Sequence, residues 1–250
     1  MNVRFTSSRK NLNLIPKYYV RTHTLLLLFL LSLTIGIGCC WHTQQTYSVT
    51  PQVRLVSYIQ ASSIYFRSPS GAKIGSGVYT IKKDKHYVIT ANHVWEAVSK
   101  DVECVSVCHS IDCTCTSVDN IIEASSNDSK DYVVVEISRQ LFGTEPIRYN
   151  NDLRLPGEEA YLSASPGGRL MLVTKGMLSG FDHEETFLQY VVNIYGFYGS
   201  SGGGIFDGNG KFIGIVTNID LNIDPINATI VPNPQILYAT PSTEIDFLFE

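Results

Sequence analysis

The chain has 250 residues, of which 44% are apolar and 17% are charged, and its formal net charge is −4. This composition fits a globular protein with one sizeable core or two smaller ones and excludes a largely disordered chain. The negative charge, with no basic cluster after residue 41, excludes a nucleic-acid-binding function, since such proteins need a basic face.

The first 40 residues differ in composition from the rest of the chain. Five cations and no acidic residue accompany a leucine-rich apolar run over residues 25–38. This pattern is typical of a targeting segment, and the run is shorter than the roughly 20 residues that a membrane-spanning helix needs. Gly38-Cys39 is similar to the end of a bacterial lipoprotein signal, which makes Cys39 and Cys40 lipidation candidates.

Three interpretations of residues 1–40 therefore stay open: a cleaved signal peptide, a lipoprotein signal, and an uncleaved hydrophobic helix that anchors the chain in a membrane. Each predicts a secreted or periplasmic protein, and the last two add a lipid or membrane anchor at the N-terminus. Residues 41–52 are expected to form a linker.

From residue 53 onward, short apolar runs alternate with turn signals, which is typical of antiparallel β-structure. The first set of predicted strands covers 54–60, 63–67, 77–82, 87–90, 102–107, 114–123 and 132–138, and the second set covers 159–163, 170–178, 187–194, 203–206, 211–218 and 236–238. We expect an all-β fold of two six-stranded antiparallel β-barrels, over residues 53–145 and 146–250. Short helices are predicted over 94–100 and, at the C-terminus, over 241–249.

Three segments carry side chains suited to nucleophilic catalysis. His93 follows an apolar strand, Asp131 begins another, and Ser201 lies in the run Gly199-Ser200-Ser201-Gly202-Gly203. Glycines accept positive φ angles, so backbone N–H groups in such a run can converge on one point and stabilise an oxyanion. The order His, Asp, Ser is one of the chain orders of catalytic triads. The other histidines of this region are expected at the surface: His86, His109 and His183.

The remaining cysteines lie on a predicted hairpin whose turn covers residues 109–112: Cys104, Cys108, Cys113 and Cys115. Residues two or four apart on a strand share a face, so the cysteines of each strand lie on one side of the hairpin. The simplest disulfides are Cys108 with Cys113 and Cys104 with Cys115. A zinc site of four thiolates, with or without His109, is the alternative; no other metal or cofactor is predicted.

The segments around His93, Asp131 and Ser201 resemble those of trypsin-like peptidases, and above all those of the HtrA/DegP branch. In that branch the histidine follows a Thr-Ala/Asn-x pair, as in Thr90-Ala91-Asn92-His93, the aspartate starts an apolar strand, and the serine lies in Gly-Asn-Ser-Gly-Gly. The resemblance covers about residues 56 to 248 and implies chymotrypsin-like barrels with the active site between them. Only 49 residues follow Ser201, so no PDZ domain is expected.

The resemblance also implies a serine endopeptidase that acts on polypeptides without a cofactor. Ser201 would attack, His93 would transfer the proton, and Asp131 would orient the imidazole. The oxyanion hole would use backbone N–H groups from Gly199, Ser200 and Ser201.

By alignment, the substrate-binding walls include Tyr195, Thr217, Asn218 and Ile219. Residues 192–201 contain no acidic side chain to pair with Lys or Arg, and the branched Ile219 favours a shallow pocket, so cleavage is expected after small or medium apolar residues. The alternative function is a catalytically inactive trypsin-fold protein that binds a partner or anchors at a membrane. No oligomeric state is predicted.

Overall fold

The described part of the chain begins with a helix. The computed structural model describes residues 49–67, 73–99, 106–109, 114–125, 130–149, 152–168, 171–184, 187–224 and 229–249. Helix α1 spans Pro51–Ala61. The Thr50 hydroxyl caps this helix by accepting a hydrogen bond from the Val53 N–H at 3.3 Å, and Pro51 suits the first turn because its missing N–H needs no partner there.

The prediction of a strand over residues 54–60 is therefore wrong. Ile59 is fully buried, and Leu55 and Tyr58 pack against the same core cluster. These three positions recur with helical spacing, so one face of α1 covers the core while its other face meets solvent.

Six antiparallel strands close the first barrel in the order β1-β2-β3-β6-β5-β4. They are β1 (Ser63–Arg67), β2 (Lys73–Lys82), β3 (Lys85–Thr90), β4 (Ser106–His109), β5 (Cys115–Ser125) and β6 (Tyr132–Ile137). Helix α2 (Asn92–Ser99) follows β3, close to the predicted helix over 94–100. Most of the strand predicted over 102–107 lies outside the described residues.

The second barrel also has six antiparallel strands, in the order β11-β8-β9-β10-β13-β12, and pairing of β11 with β12 closes it. They are β8 (Glu159–Ala164), β9 (Leu172–Glu184), β10 (Phe187–Asn193), β11 (Gly204–Asp207), β12 (Lys211–Asp224) and β13 (Thr229–Pro241). The short strand β7 (Arg148–Tyr149) lies parallel to β12. The predicted fold of two six-stranded antiparallel barrels is thus confirmed.

A shared core joins the barrels. On β6, Val133 and Val135 pack inside the first barrel, whereas Tyr132 and Val134 belong to a cluster that includes side chains of both barrels. The second barrel contributes four residues to this cluster: Tyr161, Phe206, Phe212 and Ile215. Because β6 is buried on both faces over most of its length, its sequence is apolar at every position except Glu136 and does not alternate.

The C-terminal segment forms two short 3₁₀ turns, Ser242–Glu244 and Asp246–Leu248, in place of the helix predicted over 241–249. Ile245 separates them in an extended conformation, with φ −99° and ψ 91°. Its side chain is fully buried in the shared core, and burial of an apolar side chain outweighs the weak preference of so short a segment for a continuous helix.

The predicted targeting segment, with Cys39 and Cys40, lies outside the described residues. Within residues 49–249, apart from the gaps in that range, none of the helices has both the length and the apolar character needed to cross a membrane.

Candidate active site

His93 stands at the start of α2. Val94 and Val98 bury one face of this short helix in the first-barrel core, and the N–H groups of Val94 and Trp95 both donate to the carbonyl of Ala91, at 3.1 and 3.2 Å. The His93 side chain points away from that core and is 46% exposed. Strand β3 and the first turn of α2 therefore present this imidazole at the surface.

Asp131 binds His93 through both carboxylate oxygens. Its Oδ2 lies 2.5 Å from His93 Nδ1, and its Oδ1 accepts the backbone N–H of the same residue at 3.0 Å. An ionised carboxylate only accepts hydrogen bonds, so the ring proton lies on Nδ1 and Nε2 stays free to accept another proton. The structure thus brings two of the three predicted catalytic residues, His93 and Asp131, into hydrogen-bond contact.

Both neighbours of Asp131 are held in place. Lys130 forms a 2.8 Å ion pair with Glu244 of the C-terminal turn, and this hydrogen bond raises the pKa of the lysine. Tyr132 is buried and donates its hydroxyl to Glu123; burial, followed by this bond, raises the pKa of the phenol. The backbone on each side of the carboxylate is therefore restrained.

Ser201 lies in a turn between two glycines with positive φ, Gly199 at +92° and Gly202 at +76°. A β-carbon at Gly202 would overlap the Ser76 carbonyl oxygen and Thr90 Oγ1 and would crowd the Ala91 nitrogen. The turn of the second barrel therefore packs directly against Thr90, the last residue of β3, three residues before His93.

Ser76 of β2 holds this turn, and sequence reasoning missed it. Its N–H donates to the Ser201 carbonyl at 2.9 Å, and its hydroxyl donates to the Gly199 carbonyl at 2.8 Å. The same hydroxyl accepts the Ser165 N–H at 2.8 Å, and the Ser76 carbonyl accepts the Thr90 hydroxyl at 2.6 Å. The available signal was a serine between two glycines, Gly75-Ser76-Gly77, in the middle of a strand.

The predicted oxyanion donors differ in their availability. The Ser200 N–H donates to the Phe197 carbonyl at 2.8 Å, while Ser200 Oγ accepts the Phe197 N–H at 3.0 Å, so the Ser200 amide already has a partner within the turn. The Tyr198 carbonyl accepts the Gly167 N–H at 2.6 Å. Because N–H and C=O point in opposite directions across a trans peptide, the Gly199 N–H points away from Gly167.

The predicted substrate walls lie on two segments of the second barrel. Tyr195 is 47% exposed, Asn218 is exposed and Ile219 is half-buried. Thr217 is 1% exposed and its hydroxyl donates to the Tyr238 carbonyl at 3.3 Å. A β-bulge at this point turns the Thr217 side chain into the barrel, so only its backbone is available to a substrate.

Leu237 fills the space beside the Tyr195 segment. A β-carbon at Gly196 would lie 2.7 Å from Leu237 Cδ1, which is closer than packed carbon atoms approach. The Gly196 N–H donates to the Pro234 carbonyl at 2.9 Å, which fixes the two segments against each other.

The disulfide in the described residues joins Cys108 to Cys115, so both predicted pairings, each of which needs one of these cysteines, are wrong. The two residues lie directly opposite each other on β4 and β5, with their Cα atoms 4.2 Å apart. The His109 N–H donates to the Thr114 carbonyl, so β4 and the residues before β5 pair in a different register from the predicted one. Oxidised sulfurs are not thiolate ligands, which also overturns the four-thiolate zinc site. Cys104 and Cys113 lie outside the described residues.

His109 is fully buried, so its predicted surface position is wrong. Its Nδ1 donates to the Ser63 carbonyl at 3.0 Å. His86 is half-buried and its Nδ1 lies 2.7 Å from the Tyr79 hydroxyl. Both rings have partners within the first barrel.

Comparison with known proteins agrees with this architecture. A sequence model of the trypsin-like peptidase domain matches residues 75–215, more than half of the chain. No curated protein sequence gives a significant match. Among solved structures, the HtrA-type protease AlgW with a decapeptide is similar at 17% identity and a TM-score of 0.61, over 80% of this chain and 66% of that one.

The active form of the Rv3671c protease from M. tuberculosis is similar at 17% identity and a TM-score of 0.58, over 77% of this chain and 81% of that one. Its inactive form gives 17% identity and a TM-score of 0.57, over 77% and 89%. At these identities the structures share a fold, and the sequence match supplies the family. The chain belongs to the trypsin-like peptidase domain family and is a serine peptidase with an HtrA-like fold.

Proposed function

We propose that this protein is a serine endopeptidase that cleaves polypeptides through an acyl-enzyme, with His93, Asp131 and Ser201 as its catalytic triad. The observation that carries the proposal is the hydrogen bond between His93 Nδ1 and Asp131 Oδ2. The packing of Gly202 against Thr90 supports it, because this contact holds the residue after Ser201 close to the strand end that leads to His93.

Each member of the triad has a distinct role. Ser201 Oγ attacks the scissile carbonyl while His93 Nε2 takes the hydroxyl proton. His93 then gives this proton to the leaving amine nitrogen as the C–N bond breaks, and a water molecule activated by the same imidazole hydrolyses the ester. Asp131 keeps the ring oriented and stabilises the imidazolium without taking its proton.

The oxyanion of the tetrahedral intermediate would be bound by the backbone N–H groups of Gly199 and Ser201. The bond from Gly167 to the Tyr198 carbonyl supports this assignment for Gly199, because it fixes the orientation of the peptide that carries the donor. Loss of one such donor typically lowers kcat by about two to three orders of magnitude.

The preferred residue before the scissile bond would be small or medium and apolar. Leu237 packed against Gly196 and the half-buried Ile219 support a shallow pocket. In a set of peptides that differ only at this position, Ala, Val and Leu should give higher kcat/KM than Lys, Arg or Trp. Faster cleavage after Lys or Arg would contradict the assignment.

The proposed triad is tested by cleavage of an unfolded protein substrate. Ser201→Ala and His93→Ala should each lower the rate by about three orders of magnitude or more, because each removes a group that acts in the transition state. Ser179→Ala is the matched control, since this serine is exposed on β9, and it should cleave at the wild-type rate. A folded wild-type protein without activity would favour the alternative of an inactive binding protein.

A further inference from the structure

The hairpin of β12 and β13 extends beyond the second barrel. The two strands pair from Gly214 opposite Pro241 to Asp224 opposite Thr229, whereas β10 pairs with β13 only opposite residues 236–239. We call residues 220–224 and 229–233 the arm. In the described part of the chain the arm is a two-stranded ribbon with no third strand beside it.

One edge of β12 is free along most of this length. It pairs with β7 and then with β11 as far as Ile215, and the Val216 backbone exchanges hydrogen bonds with Gly202 and Gly203 at 2.7 and 2.9 Å. From residue 217 to residue 224, no described residue pairs with this edge. Such an edge presents unpaired N–H and C=O groups over about 26 Å, at roughly 3.3 Å per residue.

The free edge begins at residue 217, directly after Val216. The partners of Val216 are Gly202 and Gly203, which directly follow Ser201, so the free edge is continuous with the turn that carries Ser201. The six strands of this barrel pair antiparallel to one another. A substrate strand that paired antiparallel with the free edge of β12 would therefore run from the arm toward Ser201. Its residues on the N-terminal side of the scissile bond would then lie along the arm.

Residues 217–219 are already expected to form a wall of the substrate site. We propose that the arm extends this site, so that a bound polypeptide continues as an added β-strand along residues 220–224 and about eight substrate residues before the scissile bond are recognised. This inference rests on the proposed peptidase function. A polypeptide that adds as a strand must be extended over the whole paired length, so the substrate class is polypeptide that is unfolded or extended over about eight residues.

The arm also has an apolar face that would give this recognition a sequence preference. Leu221 lies opposite Pro232, and these side chains share one face with Ile230; Leu221 is 56% exposed and Ile230 is 70% exposed. On the other face, Asn233 donates to Asp220 at 3.1 Å. Side chains of an added strand alternate between faces, so apolar residues at every second substrate position would lie beside Leu221.

A peptide series tests the extended site. All peptides share one scissile sequence, and the part before the scissile bond is lengthened from three to nine residues. The value of kcat/KM should rise until this part has about eight residues. The last four added residues should raise kcat/KM by roughly tenfold, because they add several backbone hydrogen bonds. N-methylation of single amides in this region should lower kcat/KM at alternate positions only. If kcat/KM stops rising at four residues before the scissile bond, the inference is overturned. Cleavage of the short peptides would in that case still support the proposed function. If no peptide is cleaved, both fail.

A pair of variants tests the apolar face. Leu221→Asn should abolish the preference for apolar residues at alternate positions of the long peptides and leave the rate on the shortest peptide unchanged. Ile121→Asn is the matched control, because Ile121 is 53% exposed on β5 of the other barrel, and it should change neither rate. If the two variants show the same preference for apolar residues at alternate positions of the long peptides, the apolar face of the arm does not contribute to recognition.

Discussion

Ser76 shows how much of the site depends on one side chain outside the triad. Its hydroxyl has two partners, the Gly199 carbonyl and the Ser165 N–H, and the residue is fully buried. Removal of this hydroxyl takes away both of these hydrogen bonds, and the loss of a buried hydrogen bond costs about 1–3 kcal/mol. The turn that presents Ser201 would then relax toward other hydrogen-bond partners.

We therefore expect Ser76→Ala to lower kcat by about 10- to 100-fold with little change in KM, because the affected interactions orient oxyanion donors that act in the transition state. Steady-state kinetics on one peptide measure both constants. Ser63→Ala is the matched control: Ser63 is equally buried and donates to the Ile59 carbonyl at 2.8 Å, but it does not contact the turn. Similar values of kcat for the two variants would contradict the positioning role of Ser76.

Sequence reasoning at this scale is most informative where a side chain has a distinctive chemistry. His93 and Asp131 were singled out by residue type and context, and the structure joins them. The partners of the Ser200 amide and of the Thr217 hydroxyl could not be predicted, because these hydrogen bonds depend on turn and bulge geometry that the sequence does not encode locally. His109 was wrong because burial depends on which strands enclose the residue.

At the scale of elements, α1 is the clearest disagreement with the sequence prediction. Residues 54–60 contain leucine, valine, tyrosine and isoleucine, which a strand also favours, so propensity did not decide between the two structures. The Thr50-Pro51 pair was the deciding signal, because a capping threonine followed by proline is typical of a helix start.

The cap gives a direct test of this helix. Thr50→Ala should lower the free energy of unfolding by about 1 kcal/mol, because the Val53 N–H loses its partner. Thr50→Ser keeps the oxygen and should unfold at nearly the wild-type urea concentration. If the alanine and serine variants unfold at the same urea concentration, the cap does not stabilise α1.

Strand ends were predicted less well than the strands themselves. The strands predicted over 211–218 and 236–238 extend in the structure to Asp224 and start at Thr229, because the arm pairs with itself beyond the barrel. The register of β4 against β5 also differs from the predicted one, and this difference changed the disulfide partners. Register depends on cross-strand pairing, which a single sequence constrains weakly where the strands are polar.

At the scale of the whole molecule, the two barrels are joined by the core that they share with the C-terminal turns. Phe247 is 6% exposed in this core, its ring contacts Tyr87 edge-on at 4.8 Å, and the Lys82 ammonium lies 4.5 Å from its centroid. The C-terminal segment therefore packs on strands of the first barrel, next to the turn that carries Asp131.

We expect Phe247→Ala to lower the free energy of unfolding by about 3–5 kcal/mol, because it leaves a cavity in the shared core. Phe249→Ala is the control, since this side chain is 39% exposed, and it should cost about 1 kcal/mol or less. Urea unfolding followed by far-ultraviolet circular dichroism measures both. Equal losses in the two variants would show that the shared core does not hold the barrels together.

The account as a whole depends on Ser201 being the nucleophile that His93 activates. The most direct measurement is to treat the protein with a fluorophosphonate, digest it, and locate the modified residue by mass spectrometry. We expect one adduct, on Ser201, that forms far more slowly in His93→Ala. An adduct on Ser200 or on another serine, or no adduct on folded wild-type protein, would contradict the account.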